Sequence, residues 1–325
     1  MKIVVPLSSE EHYQDLVQAG ADEFYCGYVD MQWLDKGNEP VNRRELFNNT
    51  NITSLDSMKI LHSMVSYYDK PVAVAFNSIQ YSPQRYPQIE EKVNQLLQIG
   101  FDRFIIGDIG LLYYLKESGL NCSIHLSGEM GILNADAIFF LKEYPFTRVI
   151  FPRKVKIEEI KQIISTVHQD TLEYECFILN NNCDHNGCFC FVHHEADMCQ
   201  LCFLPCAVDE SVISKFKKEQ KCLSASVRLR SSRLEQLEGE GKHVFGDNGC
   251  GLCFMSQLEM AGITHIKMVG RGGNTQDTLC DLKRLRDLLD RHPPESPVLD
   301  KRICTNKNCY FPEDRMALRH KGHRI

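Results

Sequence analysis

Along the chain, short apolar runs alternate with longer stretches in which apolar residues recur every three or four positions. The runs Lys2–Pro6, Glu23–Cys26, Val72–Phe76, Arg103–Ile106, Ser123–Leu126, Arg148–Phe151, Tyr174–Leu179 and His265–Val269 read as strands. Between them, stretches such as Glu90–Ile99 and Ile157–Val167 put their apolar residues on one helical face. Strand and helix in alternation imply parallel strands with crossover helices. Eight such units predict an α/β protein of the (β/α)8 TIM-barrel type, with a doubly wound open sheet as the alternative. A repeated unit supports this. Gly20, Gly100 and Gly262 each stand where a helix should end, and each is followed by a short strand and a second glycine, Gly27, Gly107 or Gly270. Ser8 and Glu11 have capping-box spacing at the first helix.

The pattern places one barrel over residues 1–292, with a cysteine-rich insertion at 180–253 after the seventh strand and a tail at 293–325. About 85 residues separate the seventh strand from the eighth, and a loop of that length inside a compact barrel is usually functional. The tail is locally basic through Arg315, Arg319, Lys321 and Arg324, which reads as a solvated end.

Composition changes the picture through cysteine. The chain has 325 residues, 15 of them cysteine, and a formal net charge of −6. Cys183, Cys188, Cys190, Cys199, Cys202 and Cys206 crowd one polar loop, and Cys250-x-x-Cys253 follows in a glycine-rich turn. Free cysteine normally behaves as a scattered, buried small hydrophobe. Crowded in a polar loop, it supplies soft thiolate donors for an iron–sulfur cluster or a zinc site. The N-terminus shows no secretory signal, no apolar run approaches a membrane span, and the cysteine count is odd. A cytoplasmic protein with metal-binding thiols is therefore expected, with no membrane partner. The two Cys-x-x-Cys pairs are separated by 47 residues, against roughly 15–20 in a zinc ribbon. Iron–sulfur is favoured over zinc, and His185, His193 and His194 read as neighbours of the site, not ligands.

A barrel builds its active site at the C-terminal ends of its strands. Cys26, Asn77, Asp108, His125 with Ser127 and Glu129, Arg153, the triplet Asn180-Asn181-Asn182 and Arg271 fall there. Each alone is as readily a solvated loop residue; together they converge on one mouth. Hydrolysis has weak support. His125 and Ser127 can share a strand face, but there is no Gly-x-Ser-x-Gly elbow and no His-Glu-x-x-His. Gly270-Arg271-Gly272-Gly273 before a helix is an anion-site candidate whose plainer reading is a flexible helix entry.

At several of these stretches the chain resembles the U32 peptidase family, some of whose members carry an iron–sulfur cluster and act in oxygen-independent hydroxylation. The matching segments are Gly20-Ala21-Asp22-Glu23-Phe24-Tyr25-Cys26-Gly27, Gly107-Asp108-Ile109-Gly110, Ile124-His125-Leu126-Ser127, Phe151-Pro152-Arg153, the cysteine loop, Gly251-Leu252-Cys253 and Lys267-Met268-Val269-Gly270-Arg271. They cover about residues 1–290. The resemblance implies a cysteine quartet after the seventh strand, for which Cys183, Cys190, Cys206 and Cys253 fit best, with Cys202 a rival to Cys206. It implies a four-iron, four-sulfur cluster, His125 as general acid or base with Ser127, Glu129 and Asp108 beside it, and Asn77, Arg153 and Arg271 as substrate contacts. The expected activity is an oxygen-independent oxidative modification, hydroxylation, of a small-molecule, peptide or RNA substrate. A peptidase with a structural metal and a non-catalytic, cluster-bearing partner of a second subunit are the alternatives. Two departures fall at the mouth. Glu129 stands where the family has an amide, and Val269 where it has an acid. The extra cysteines leave room for a second metal, and Cys304 with Cys309 reads as a separate clamp in the tail.

Overall fold

The computed structural model describes residues 1–30, 33, 40–43, 50–183, 187–190, 243–291 and 308–313. Eight parallel strands close a barrel in chain order. They are β1 (Lys2–Pro6), β2 (Glu23–Cys26), β3 (Val72–Phe76), β4 (Arg103–Ile106), β5 (Ser123–Leu126), β6 (Phe146–Ile150), β7 (Glu173–Leu179) and β8 (His265–Met268). The barrel closes through β1 and β8, with Lys2 opposite His265 and Val4 opposite Lys267. Residues 1–190 and 245–325 form one compact unit and residues 191–244 another. The second falls outside the described residues except at its last two positions.

A helix follows each strand: Tyr13–Gln18, Leu55–Tyr68, Tyr86–Ile99, Ile109–Glu117, Ala135–Leu141, Ile157–Val167, Met255–Met260 and Thr275–Arg291. The Ile157–Val167 helix shows why. Ile157, Ile160 and Ile163 recur at a helical interval and are the residues it buries. Helix starts are set by short polar side chains: Ser54 accepts from Ser57 N and Asn134 from Ala137 N. Gly20, Gly100 and Gly262 turn the chain out of their helices with φ of 104°, 119° and 101°. The first cap differs from expectation. Ser9, not Ser8, caps the opening 3-10 turn, while Ser8 Oγ accepts the Gly272 N–H 2.8 Å away, tying β1's exit loop to that of β8.

The outer faces of the strands are apolar, but the barrel's interior is charged at its N-terminal end. Arg148 of β6, 1 % exposed, pairs with Glu23 of β2 (2.7 Å) and with Glu173 (2.7 Å) and Glu175 (2.9 Å) of β7. His265 of β8 lies 3.1 Å from Glu23, and Lys267 lies 2.7 Å from Glu175. One guanidinium thus holds several carboxylates that would otherwise repel one another in a desolvated space. No helix among the described residues is long and apolar enough to cross a membrane.

Candidate functional site

Above this charged base, Tyr25 of β2 lies within the barrel. Lys267 Nζ is 4.0 Å from its ring centroid, Arg271 is 5.9 Å from it, and its hydroxyl donates to the Met268 carbonyl. Arg271 follows β8 and is buried. Its Nη1 and Nη2 each donate over 3.1 Å, to Asn51 and Asn42 of the β2 exit loop. A Cβ on Gly27 would sit 2.2 Å from Arg271 Nη1 and 1.9 Å from Asn51 Oδ1, so only glycine admits this arginine.

Opposite stands a second basic group. Arg153, after β6, contacts Glu129, after β5, at 3.4 Å, and Arg43 reaches the other oxygen of that carboxylate at 3.7 Å. Both contacts are long for ion pairs. The Arg153 guanidinium packs 4.0 Å from the Phe177 ring centroid on β7. Asn77 belongs to the same neighbourhood, since its Oδ1 accepts the Arg43 N–H at 3.4 Å. Arg43 also donates to the Cys190 carbonyl at 3.1 Å. Glu129, Arg153, Arg271, Asn77 and Cys190 are therefore brought to one end of the barrel.

Other expected residues have different surroundings. His125 lies within β5 and points to the interior. Burial and the nearby Arg148 charge, aided by Lys267, hold its imidazole well below the usual histidine range, against the opposing pull of Glu175 and Glu23. It is neutral at physiological pH. Ser127 is buried, and its Oγ accepts the Glu129 N–H at 3.1 Å, fixing the turn that presents Glu129. Asp108 caps the Ile109–Glu117 helix, accepting from Gly110 N, Leu111 N and Tyr81 N. With its carboxylate spent on three backbone donors, it is structural. The asparagine triplet is likewise committed. Asn180 and Asn181 take left-handed φ of 66° and 47°, Asn180 bonds Asp281, and Asn182 bonds Asn308 and the Cys309 carbonyl.

Cys183 follows that triplet and lies within electrostatic reach of Arg153. Cys253 sits in the 3-10 turn Leu252–Phe254, which is tied to β7 through a Gly251 N–H to Ile178 carbonyl bond. Cys202 and Cys206 lie outside the described residues, as do His185, His193 and His194. Among the described residues no group of three or more His, Cys, Asp or Glu side chains forms a metal cage. Cys183, Cys190 and Cys253 all belong to segments between β7 and β8, and the other cysteines expected as ligands lie outside the described residues. Cys26 is no ligand candidate: it is fully buried, and burial pushes its thiol up to about 12.

Sequence reasoning missed Tyr25, Arg43, Lys267 as an interior charge, and Tyr310. Tyr25 was visible in the alternation Glu23, Tyr25, Gly27, which places all three on the inner face. Arg43 and Tyr310 had no local signal, because long loops deliver them.

The geometry defines a (β/α)8-barrel protein with Glu129, Arg153 and Arg271 at the exits of its strands. The chain belongs to peptidase family U32, whose model matches residues 8–306. Over 178 residues (54 % of this chain, 35 % of the relative) it is 26 % identical to tRNA hydroxylation protein P of Haemophilus influenzae. Over 83 residues (26 % and 18 %) it is 31 % identical to tRNA hydroxylation protein P of Escherichia coli K12. Over 172 residues (53 % and 37 %) it is 23 % identical to a collagenase of Porphyromonas gingivalis. The chain spans at most 37 % of the length of these relatives.

Proposed function

We propose that this chain is an RNA-modifying enzyme that hydroxylates tRNA without molecular oxygen, using an iron–sulfur cluster held by Cys183, Cys190, Cys253 and either Cys206 or Cys202. The observation that carries the reading is the Arg153–Glu129 contact. A buried guanidinium at the barrel mouth is held by a carboxylate only at 3.4 Å, its Nε makes no hydrogen bond among the described residues, and Cys183 lies close by. Such a guanidinium takes a phosphate readily in fork geometry. Arg271, 5.9 Å from the Tyr25 ring, is the second phosphate contact. The names of the two tRNA hydroxylation relatives support RNA over a small molecule or peptide.

When bound, the cluster would supply one-electron chemistry. The chain's own residues bind and orient the RNA. The collagenase relative favours a second reading, peptide hydrolysis. For that, Ser127 would have to leave its bond to the Glu129 N–H and gain an oriented base. The test compares tRNA nucleosides, by mass, from anaerobic cultures with and without the gene. A nucleoside lighter by one oxygen in the deletion strain supports hydroxylation. Unchanged tRNA together with peptide cleavage by the purified protein, blocked by Ser127→Ala, overturns it in favour of the peptidase.

A further inference from the structure

Residues 308–311 come from the segment expected to be a solvated tail, yet they join a small backbone ladder at the exit of β7. Asn180 N–H donates to the Gly249 carbonyl at 2.8 Å and Asn182 N–H to the Asn248 carbonyl at 2.7 Å. The tail binds the same turn. Cys250 N–H donates to the Asn308 carbonyl at 2.9 Å and Tyr310 N–H to the Cys250 carbonyl at 3.0 Å, which pairs Cys309 with Cys250. Side chains close the three segments together. Asn182 Nδ2 donates to Asn308 Oδ1 and to the Cys309 carbonyl, each at 3.0 Å, and Asn308 Nδ2 donates to the Asn248 carbonyl at 3.1 Å.

The seat is shaped for this strap. A Cβ on Gly249, whose φ of 148° already suits glycine, would lie 2.7 Å from the Asn182 Cβ and 3.1 Å from the Tyr310 ring. A Cβ on Gly251 would lie 2.9 Å from the Phe311 ring. Tyr310 stacks on Phe177 at 9° with centroids 6.4 Å apart, and Phe311 packs edge-on against Phe254 at 5.6 Å. Both tail rings are buried. A loose end buries no such pair.

Asn182 immediately precedes Cys183, and Cys250 lies in the turn that leads into Cys253. We propose that the tail is a clasp for the thiols, in which Asn308 is a positioning residue: by tying Asn182 to the Asn248–Cys250 turn it fixes where Cys183 and Cys253 stand. This rests on the proposed ligand role of those two cysteines. Asn308 acts through Asn182, as residues behind a ligand shell orient the ligands in front of them.

The test uses the full chain prepared without oxygen, with Asn308→Ala and, breaking the same bond from the other side, Asn182→Asp. One readout is iron and sulfide per chain, with the visible absorbance, after reconstitution with ferrous iron and sulfide. The other is iodoacetamide labelling before reconstitution, read cysteine by cysteine by peptide mass. Buried Cys26 and Cys176 report the fold in the same sample. Each variant is expected to need about tenfold more iron for half-loading, the scale for a residue behind the ligands. Cys183 and Cys253 should label about fivefold faster, the scale of one hydrogen bond in a local opening. Cys26 and Cys176 should label as in wild type, a pattern that a general loss of fold does not give. The labelling change in a protein whose wild-type form takes up no iron would retain the clasp and sink the cluster reading. Wild-type labelling of Cys183 and Cys253 in both variants would overturn the clasp. Faster labelling with unchanged iron uptake would overturn it too, because the tail would then only cover the thiols.

Discussion

Lys267 Nζ lies 2.7 Å from Glu175 Oε1, with the two side chains 5 % and 1 % exposed. Glu175 also holds Arg148, while Lys267 faces Tyr25, so this one ion pair joins the charged base of the barrel to the mouth. Breaking a buried pair from one side strands the other charge, at about 3–5 kcal/mol. Arg148→Met, which abandons Glu23, Glu173 and Glu175 together, should lose that much stability in urea denaturation. Lys267→Met should lose less, because Glu175 keeps Arg148. An Arg148→Met protein as stable as wild type would contradict this role for the interior charges.

The same network sets the direction of the pH dependence. Burial pushes the Glu175 carboxyl up, but Lys267 and Arg148 outweigh it and hold the group at about 2. Glu23 is likewise depressed: burial raises it, and His265 and Arg148 more than reverse that. Both carboxylates bind protons more weakly in the folded state. Their stabilisation is present above the ordinary carboxylate range, near pH 4.5, and is lost as pH falls towards 2. His125, also depressed, acts earlier, because the unfolded chain takes up its proton once pH drops below about 6.5. Stability should therefore decline in two stages on acidification. His125→Gln should flatten the stage that begins below about pH 6.5 and leave the lower one. A variant with the wild-type profile over that interval would refute the assignment.

Much of this fold is legible in the sequence because parallel strands buried on both faces read as compact apolar runs. Five of the eight expected strands, those from Lys2, Glu23, Val72, Arg103 and Ser123, match β1 to β5 end for end. The sixth begins earlier, at Phe146. Exposed Thr147 broke the apolar pattern ahead of Arg148, and only the barrel explains why that arginine points inward. The strand-end rule found Glu129, Arg153 and Arg271 at the mouth. It also gathered Asp108, whose carboxylate accepts from three backbone donors. Tyr310 was beyond reach, since its stacking partner Phe177 lies more than a hundred positions away in the chain.

Asp108 provides a control on the site. Its loss should uncap the Ile109–Glu117 helix and cost about 1–2 kcal/mol, without lowering the affinity for RNA beyond what the loss of folded protein explains. Thermal melts and filter binding on Asp108→Ala check both. A stable variant with lost binding would move Asp108 into the site.

The thiols divide by environment. Cys183→Ala, Cys190→Ala and Cys253→Ala should each lose most of the iron and acid-labile sulfide from protein prepared without oxygen. Cys26→Ala and Cys176→Ala remove buried thiols whose ionisation burial suppresses. They should keep the metal, as should Cys122→Ala and exposed Cys280→Ala. Stoichiometric zinc in colourless anaerobic protein, or iron retained in Cys253→Ala and lost in Cys122→Ala, would rule out the proposed ligand set.

The most direct measurement concerns the mouth as a whole. A strain lacking the gene is complemented with wild-type protein, Arg153→Met or Cys183→Ala and grown anaerobically, and hydroxylated tRNA nucleosides are quantified by mass. Wild type is expected to restore the oxygen-bearing nucleoside, Cys183→Ala to restore none, and Arg153→Met to restore little despite carrying iron. Full restoration by both variants would show that the barrel mouth is not where this chain acts on RNA.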